Sequence, residues 1–157
     1  MKRRKGTEGI SIKGFMRVQI VDKKTKKIVG DSGYFGNQIT NYGLDSCVVA
    51  LPLCCAGSIQ ATGMMLGNGT NPASDAVALP GSNTDYWGSF LQSTVIDSLT
   101  ARATCSFDGT EGAATFANMG IFAASTGTLI AGKTFASSAI TTDQDINCTY
   151  ELRYSTS

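Results

Sequence analysis

The chain has no histidine. Ser-His-Asp and Cys-His nucleophile systems both need an imidazole base, so neither can be built, and a histidine-containing zinc site is excluded too. Charged residues make up only 16%, against about a quarter in an average protein. Three prolines and one tryptophan occur in 157 residues. No apolar run approaches the roughly 20 residues that cross a bilayer. No long apolar stretch follows the basic residues at the start, so neither a membrane span nor a secretory signal is expected. Without a secretory route, Asn68-Gly69-Thr70 and Asn147-Cys148-Thr149 match the glycosylation tripeptide by chance. The five cysteines (Cys47, Cys54, Cys55, Cys105 and Cys148) contain no Cys-x-x-Cys pair, and an odd number cannot all pair within the chain. They read as reduced, buried thiols acting as small hydrophobes, suited to assembly in a reducing cytoplasm. No cofactor or metal is implied.

What is present indicates one β-rich domain. The length suffices to bury a core. Eighteen glycines, with abundant Ser, Thr and Ala, suggest many turns. The net charge of +1 conceals a split. Residues 1–27 hold ten of the thirteen basic residues and two acids, a balance of +8; the remainder carries −7. A cationic arm and hairpin therefore precede an acidic body. The arm is either a solvated tail or a segment that docks on an acidic protein surface, with Lys2, Arg3, Arg4 and Lys5 as its contacts. Nucleic acid is disfavoured, because the lysines lack interleaved aromatics and no nucleic-acid module is visible.

Ile10, Ile12, Met16, Val18 and Ile20 alternate with polar residues or glycine, the period of a strand with one buried face. A lysine-rich turn at 22–27 and a returning strand complete a hairpin over 10–36. Residues 41–51 read as the one helix, with Thr40 or Asn41 as N-cap and Pro52 as its stop. A connector at 54–58 leads to a strand at 59–66. Residues 81–85 read as a polar loop, and Tyr86, Trp87, Phe90 and Leu91 begin another extended region. Residues 94–107 alternate as one long strand, bent near Asp97. Turns follow at 108–112 and 125–127, around a strand at 113–123. Residues 129–135 read as a short strand. In the last strand Ile146, Cys148, Tyr150, Leu152 and Tyr154 are apolar, opposite polar Asp145, Asn147, Thr149, Glu151 and Arg153. Roughly eight strands and one helix argue for an all-β antiparallel sandwich, Ig-like or jelly-roll, over 10–157, with a basic arm at 1–9.

Chemistry is sparse. Asp97, Asp108, Glu111, Asp143 and Asp145 mostly fall in turns, where Asp bonds the local backbone, so an acid/base pair is not favoured. The glycine turn at 67–70 lacks the Lys-Ser/Thr of a phosphate loop. Oxygen ligands gather at Asn71, Asp75 and Asp85, without EF-hand spacing. Tyr86-Trp87 is either a core pair or an interface hot spot.

Two stretches stand together: NQITNYGLDSCVVAL at 37–51 and LGNGTNPASDAVAL at 66–79. With the preceding hairpin, they resemble a pattern in small structural proteins of tailed bacteriophages: N-x-x-T-N-x-G-L, then a strand ending G-x-G-T-x-P-x-x-D and a leucine soon after. Leu79 stands four residues past Asp75 where the pattern has three, and cysteine is richer than in such proteins. The resemblance spans about residues 14–154. It implies a non-enzymatic virion protein, assembled in the host cytoplasm, whose partners are the major capsid protein or other virion proteins and further copies of itself. The arm favours a head-attached decoration protein. Alternatives are a neck or tail component, or a carbohydrate-binding receptor module using Asn83, Thr84, Asp85, Tyr86 and Trp87.

Overall fold

The computed structural model describes residues 9–50, 61–89, 92–109, 114–123 and 127–156. Outside them lie the arm with Lys2, Arg3, Arg4 and Lys5, Pro52, the connector with Cys54 and Cys55, and the pair Phe90 and Leu91. Residues 110–112 and 125–126 of the two turns also lie outside. The described residues hold eleven strands and one helix, in two antiparallel sheets packed as a sandwich. The first sheet contains β1 (Ile10–Asp22), β2 (Ile28–Asp31), β3 (Phe35–Gly36), β7 (Gln92–Asp97), β8 (Thr100–Asp108) and β11 (Gln144–Thr156). Its order is β2-β1-β11-β8-β7, with β3 also pairing β1. The second contains β4 (Gln38–Ile39), β5 (Ala61–Gly67), β6 (Ser82–Ser89), β9 (Ala114–Ala123) and β10 (Leu129–Ile140). Its order is β4-β10-β9-β5-β6. The helix α1 spans Asn41–Ala50.

The terminal strands carry the register. β1 and β11 pair without interruption from Ile10↔Thr156 to Asp22↔Gln144. Met16, Val18, Ile146, Cys148 and Tyr150 thereby face inward together, meeting Met64, Leu66, Phe116 and Ile121 of the other sheet in one core. Each residue alternates sides along a strand, so a one-residue slip would expose this set. Thr40 is the helix cap: its Oγ1 accepts from Gly43 N at 3.1 Å. The same hydroxyl reaches the carbonyls of Leu129 and Ile130 at 2.7 and 2.9 Å, fastening the helix start to β10.

The stretch 68–81 is a strap across the outer face of the second sheet. Leu79 packs against Phe122 and Leu129, with Met65 and Ala76 around them, forming a second small core. Buried Asn118 donates from Nδ2 to Thr70 O at 3.1 Å and Pro80 O at 2.7 Å. Leu129 N donates to Val77 O, and Asn41 N to Ser74 O. The strap turns back at Gly81, whose φ of +62° suits glycine. A Cβ on Gly120 would lie 2.7 Å from Leu129 Cδ1, so the close stacking needs glycine there. Residues 118–123 are consequently buried on both faces, unlike a one-sided antiparallel strand.

Three expectations need correction. Residues 94–107 are not one strand: β7 and β8 form a hairpin, with Asp97 Oδ1 accepting from Leu99 N at 2.8 Å in the turn. A bulge between Val95 and Asp97 adds one residue, which restores the parity that the two-residue loop shifts. Alternation therefore runs through the turn unbroken, and the turn is invisible to period counting. The strand expected at 129–135 continues to Ile140, past a register shift between Thr134 and Ser138 where alternation lapses. The polar loop at 81–85 is already β6 from Ser82.

Two predictions follow from the packing. Leu79→Ala should lower stability by about 2–4 kcal/mol, because it empties the centre of the strap core; urea denaturation measures this. Cys105 and Cys148 are free, buried register partners. Burial pushes the Cys105 thiol up to about 11 and Cys148 well above its usual value. Iodoacetamide at pH 8 should therefore spare both in the folded protein and modify both after denaturation, as read by mass spectrometry.

Candidate docking surface

The outer face of the first sheet is built by the odd-numbered residues of β1 and β11. Glu151, on the side expected to be polar and solvated, is only 3% exposed. Its carboxylate is enclosed. Arg102 donates to Oε1 from Nε and Nη2 at 2.8 and 2.6 Å. Arg153 donates to Oε2 at 2.9 and 2.6 Å, and Tyr34 OH to Oε1 at 2.9 Å. Burial alone would raise this carboxyl's pKa, but the hydrogen bonds from Arg153, Arg102 and Tyr34 outweigh it and hold the group below its ordinary range. The Arg153 guanidinium lies 4.2 Å from the Phe15 ring centroid, and Arg17 lies 5.4 Å from that of Tyr34. Arg17 also grips Asp31, with Nε to Oδ1 at 3.0 Å, and hydrogen bonding to Arg17 and Gly33 N lowers the Asp31 pKa. Lys13 extends the face beside Arg153. Four cations thus meet two carboxylates around two aromatic rings.

Next to this face, β1 has an open edge. Phe15 and Met16 pair with β3, and Asn37 N donates to Gly14 O at 3.1 Å. Among the described residues, no strand pairs Ile10–Lys13 on that side. A groove of about 500 Å³ opens here between the sheets, lined by Ile12, Phe15, Gly36, Asn37, Ile39 and Leu44 among others. Asn37 is the single residue joining β3 to β4, where the chain crosses between sheets. Its carboxamide lies over Gly14, beside the Tyr150 hydroxyl, in the space a Cβ would need. Both Nδ2 and Oδ1 of Asn37 are buried with no partner among the described residues. Such groups cost about 1–3 kcal/mol each.

Of the residues expected to make contacts, Tyr86 and Trp87 are described and point apart. Lys2, Arg3, Arg4 and Lys5 lie outside the described residues. Tyr86 and Trp87 are neighbours on β6, so they point to opposite faces. Tyr86 is 2% exposed and packs edge-on to Phe116 at 4.5 Å, in the core. Trp87 is 39% exposed and stands edge-on to Phe122 at 5.4 Å on the other face. The side chains of Asn83, Thr84 and Asp85 lie outside the described set. Among the carboxylates, Asp108 and Asp145 are register partners that share Lys23. Asp97 caps the β7–β8 turn, where Val95, Ile96 and Leu99 are exposed at the tip. Sequence reasoning missed the Arg102–Glu151–Arg153 cluster with Phe15 and Tyr34. The alternation of β11 placed Glu151 and Arg153 on one face, but the cross-strand partners needed the register.

No protein-family model, curated protein or solved structure matches this chain.

Glu151→Gln should cost about 2 kcal/mol, because it weakens charge-assisted hydrogen bonds to two arginines that water partly screens. The lowered pKa gives a signed pH effect. Glu151 contributes stability above the unfolded carboxyl value of about 4.3, and that contribution is lost as pH falls through the lower folded value. Urea midpoints below pH 5 should therefore fall less steeply with acid in the glutamine variant than in the wild type.

Proposed function

We propose that this protein is a non-enzymatic structural protein of a bacteriophage virion, attached to the head by its basic N-terminal segment. The charge split carries the reading: +8 in residues 1–27 against −7 in the rest. An acidic shell would repel the body without that segment. The cationic and aromatic face around Arg17 and Arg153 adjoins the strand that the arm enters, so arm and face can engage one acidic surface together. The partner is the major capsid protein or another virion protein. Contact between copies falls to the β7–β8 tip, where Val95 is 80% exposed beside Ile96 and Leu99. Trp87 supports the second reading, a glycan-recognition module, since an exposed indole on the edge strand β6 can stack on sugar. A neck or tail position uses the same surfaces.

The test deletes residues 1–9. The sheets keep every strand, because β1 begins at Ile10. Full-length and truncated proteins are added to particles lacking the protein, and occupancy is measured across a salt series. Each exposed ion pair contributes about 0–1 kcal/mol, so several must act together. Occupancy of the full chain should fall towards 1 M salt, where screening shortens to about 3 Å. The truncated chain should bind weakly at every salt concentration. Equal occupancy at low salt would remove the arm from the mechanism.

A further inference from the structure

The open edge of β1 offers more than charge. Gly14 O already faces that edge, where it accepts from Asn37 N, and Val18 O accepts from Ser32 N on the same side. Backbone polar groups alternate along a strand. By that period, the N–H and C=O of Ile12 face the same edge, while those of Ser11 and Lys13 face β11. No described residue bonds them there. Beside this edge lies the groove, with apolar walls from Phe15, Ile39 and Leu44 and the unpartnered Asn37 carboxamide at its base. The described face beside it is cationic: Lys13, Arg17, Arg102 and Arg153 stand against Asp31 and Glu151.

We infer that the Ile10–Lys13 edge receives an extended acidic segment of a partner protein as an added strand, with one of its apolar side chains seated in the groove. The inference rests on the docking reading and gives its partner a chemistry. Main-chain hydrogen bonds to Ile12 supply the pairing, the groove selects an apolar residue at alternate positions, and acidic residues between them meet Lys13, Arg17 and Arg153. A bare strand edge invites such pairing, and this one carries no proline.

The probe is a fluorescent peptide of four Glu-Val repeats, with Lys-Val and Ser-Val peptides of equal length as controls. Anisotropy with the full chain should show the Glu-Val peptide binding at least tenfold more tightly than either control. Hydrogen exchange should slow at the Ile12 amide on binding, while Ser11 and Lys13 are unchanged. Ile12→Pro removes the donor from the open edge and leaves the β11 ladder intact, since proline is tolerated where the N–H faces outward. It should weaken binding at least tenfold. Gly36→Leu is the second variant. A Cβ there meets nothing within 4 Å and Gly36 lines the groove, so the leucine side chain should narrow it and give a similar loss, with an unchanged circular-dichroism spectrum checking the fold. Binding that is salt-sensitive yet unchanged in both variants would overturn strand addition and leave docking by charge standing. Equal binding of Ser-Val, or no binding of Glu-Val, would overturn the acidic strand, while the particle occupancy assay judges docking separately.

Discussion

The β1–β11 ladder is the constraint on which the rest of the molecule depends. It joins the first and last strands over their whole lengths, so neither end of the sheet can shift alone. Inward, it aligns Met16 and Val18 with Tyr150 and Cys148, and the core assembles on that line. Outward, it sets Phe15 beside Glu151 and Lys13 beside Arg153. The β8 register then brings Arg102 opposite Glu151. A buried carboxylate is tolerable only with such enclosure, because an unpaired charge at that depth would cost several kcal/mol. The cationic face is thus a product of register, and a slip of one residue would destroy core and face together.

The two sheets solve the problem of their outer faces differently. The second is covered by the 68–81 strap, whose Leu79, Pro80 carbonyl and Gly81 turn are held by Phe122, Leu129 and Asn118. The glycine- and leucine-bearing stretch at 66–79 therefore has a physical meaning here. Its glycines permit close backbone approach, and its leucine fills the small outer core. The first sheet has no comparable cover among the described residues. Its outer face relies on ion pairs and cation–aromatic contacts, which remain compatible with water and with a charged partner. That asymmetry is what directs the functional reading to the first sheet.

Much of the architecture was legible because period-two patterning is strong in β1 and β11, and because Thr40 and Asn41 both mark the helix start, with the structure selecting Thr40 as the cap. The misreadings share a cause. The β7–β8 turn hides behind a bulge that preserves parity, and the second half of β10 hides because it is half-exposed and lacks apolar alternation. For the surface, single-residue chemistry was the wrong unit. Tyr86 and Trp87 stand together in sequence, yet the pleat separates them. Arg17, Tyr34, Arg102 and Glu151 are far apart in sequence and meet only through register. Local signals can identify a strand but cannot identify its neighbour.

Asn37 lies where the crossover, the groove and the open edge of β1 meet. A crossover of one residue leaves almost no slack, so its backbone N–H is fixed to Gly14 O. Its side chain is thereby delivered to the inner side of β1, over Gly14, with both polar atoms unpaired. An apolar residue of similar size would avoid that cost, since nothing in the crossover itself demands a carboxamide. Burial of an amide costs free energy until water or an incoming group pairs it. Among the described residues, two of the three buried side-chain atoms without a partner belong to Asn37, beside an open strand edge and a groove. The carboxamide atoms themselves are buried, so the pairing offered to an incoming chain comes from the Ile12 backbone at the open edge, and Asn37 shapes the groove beside it.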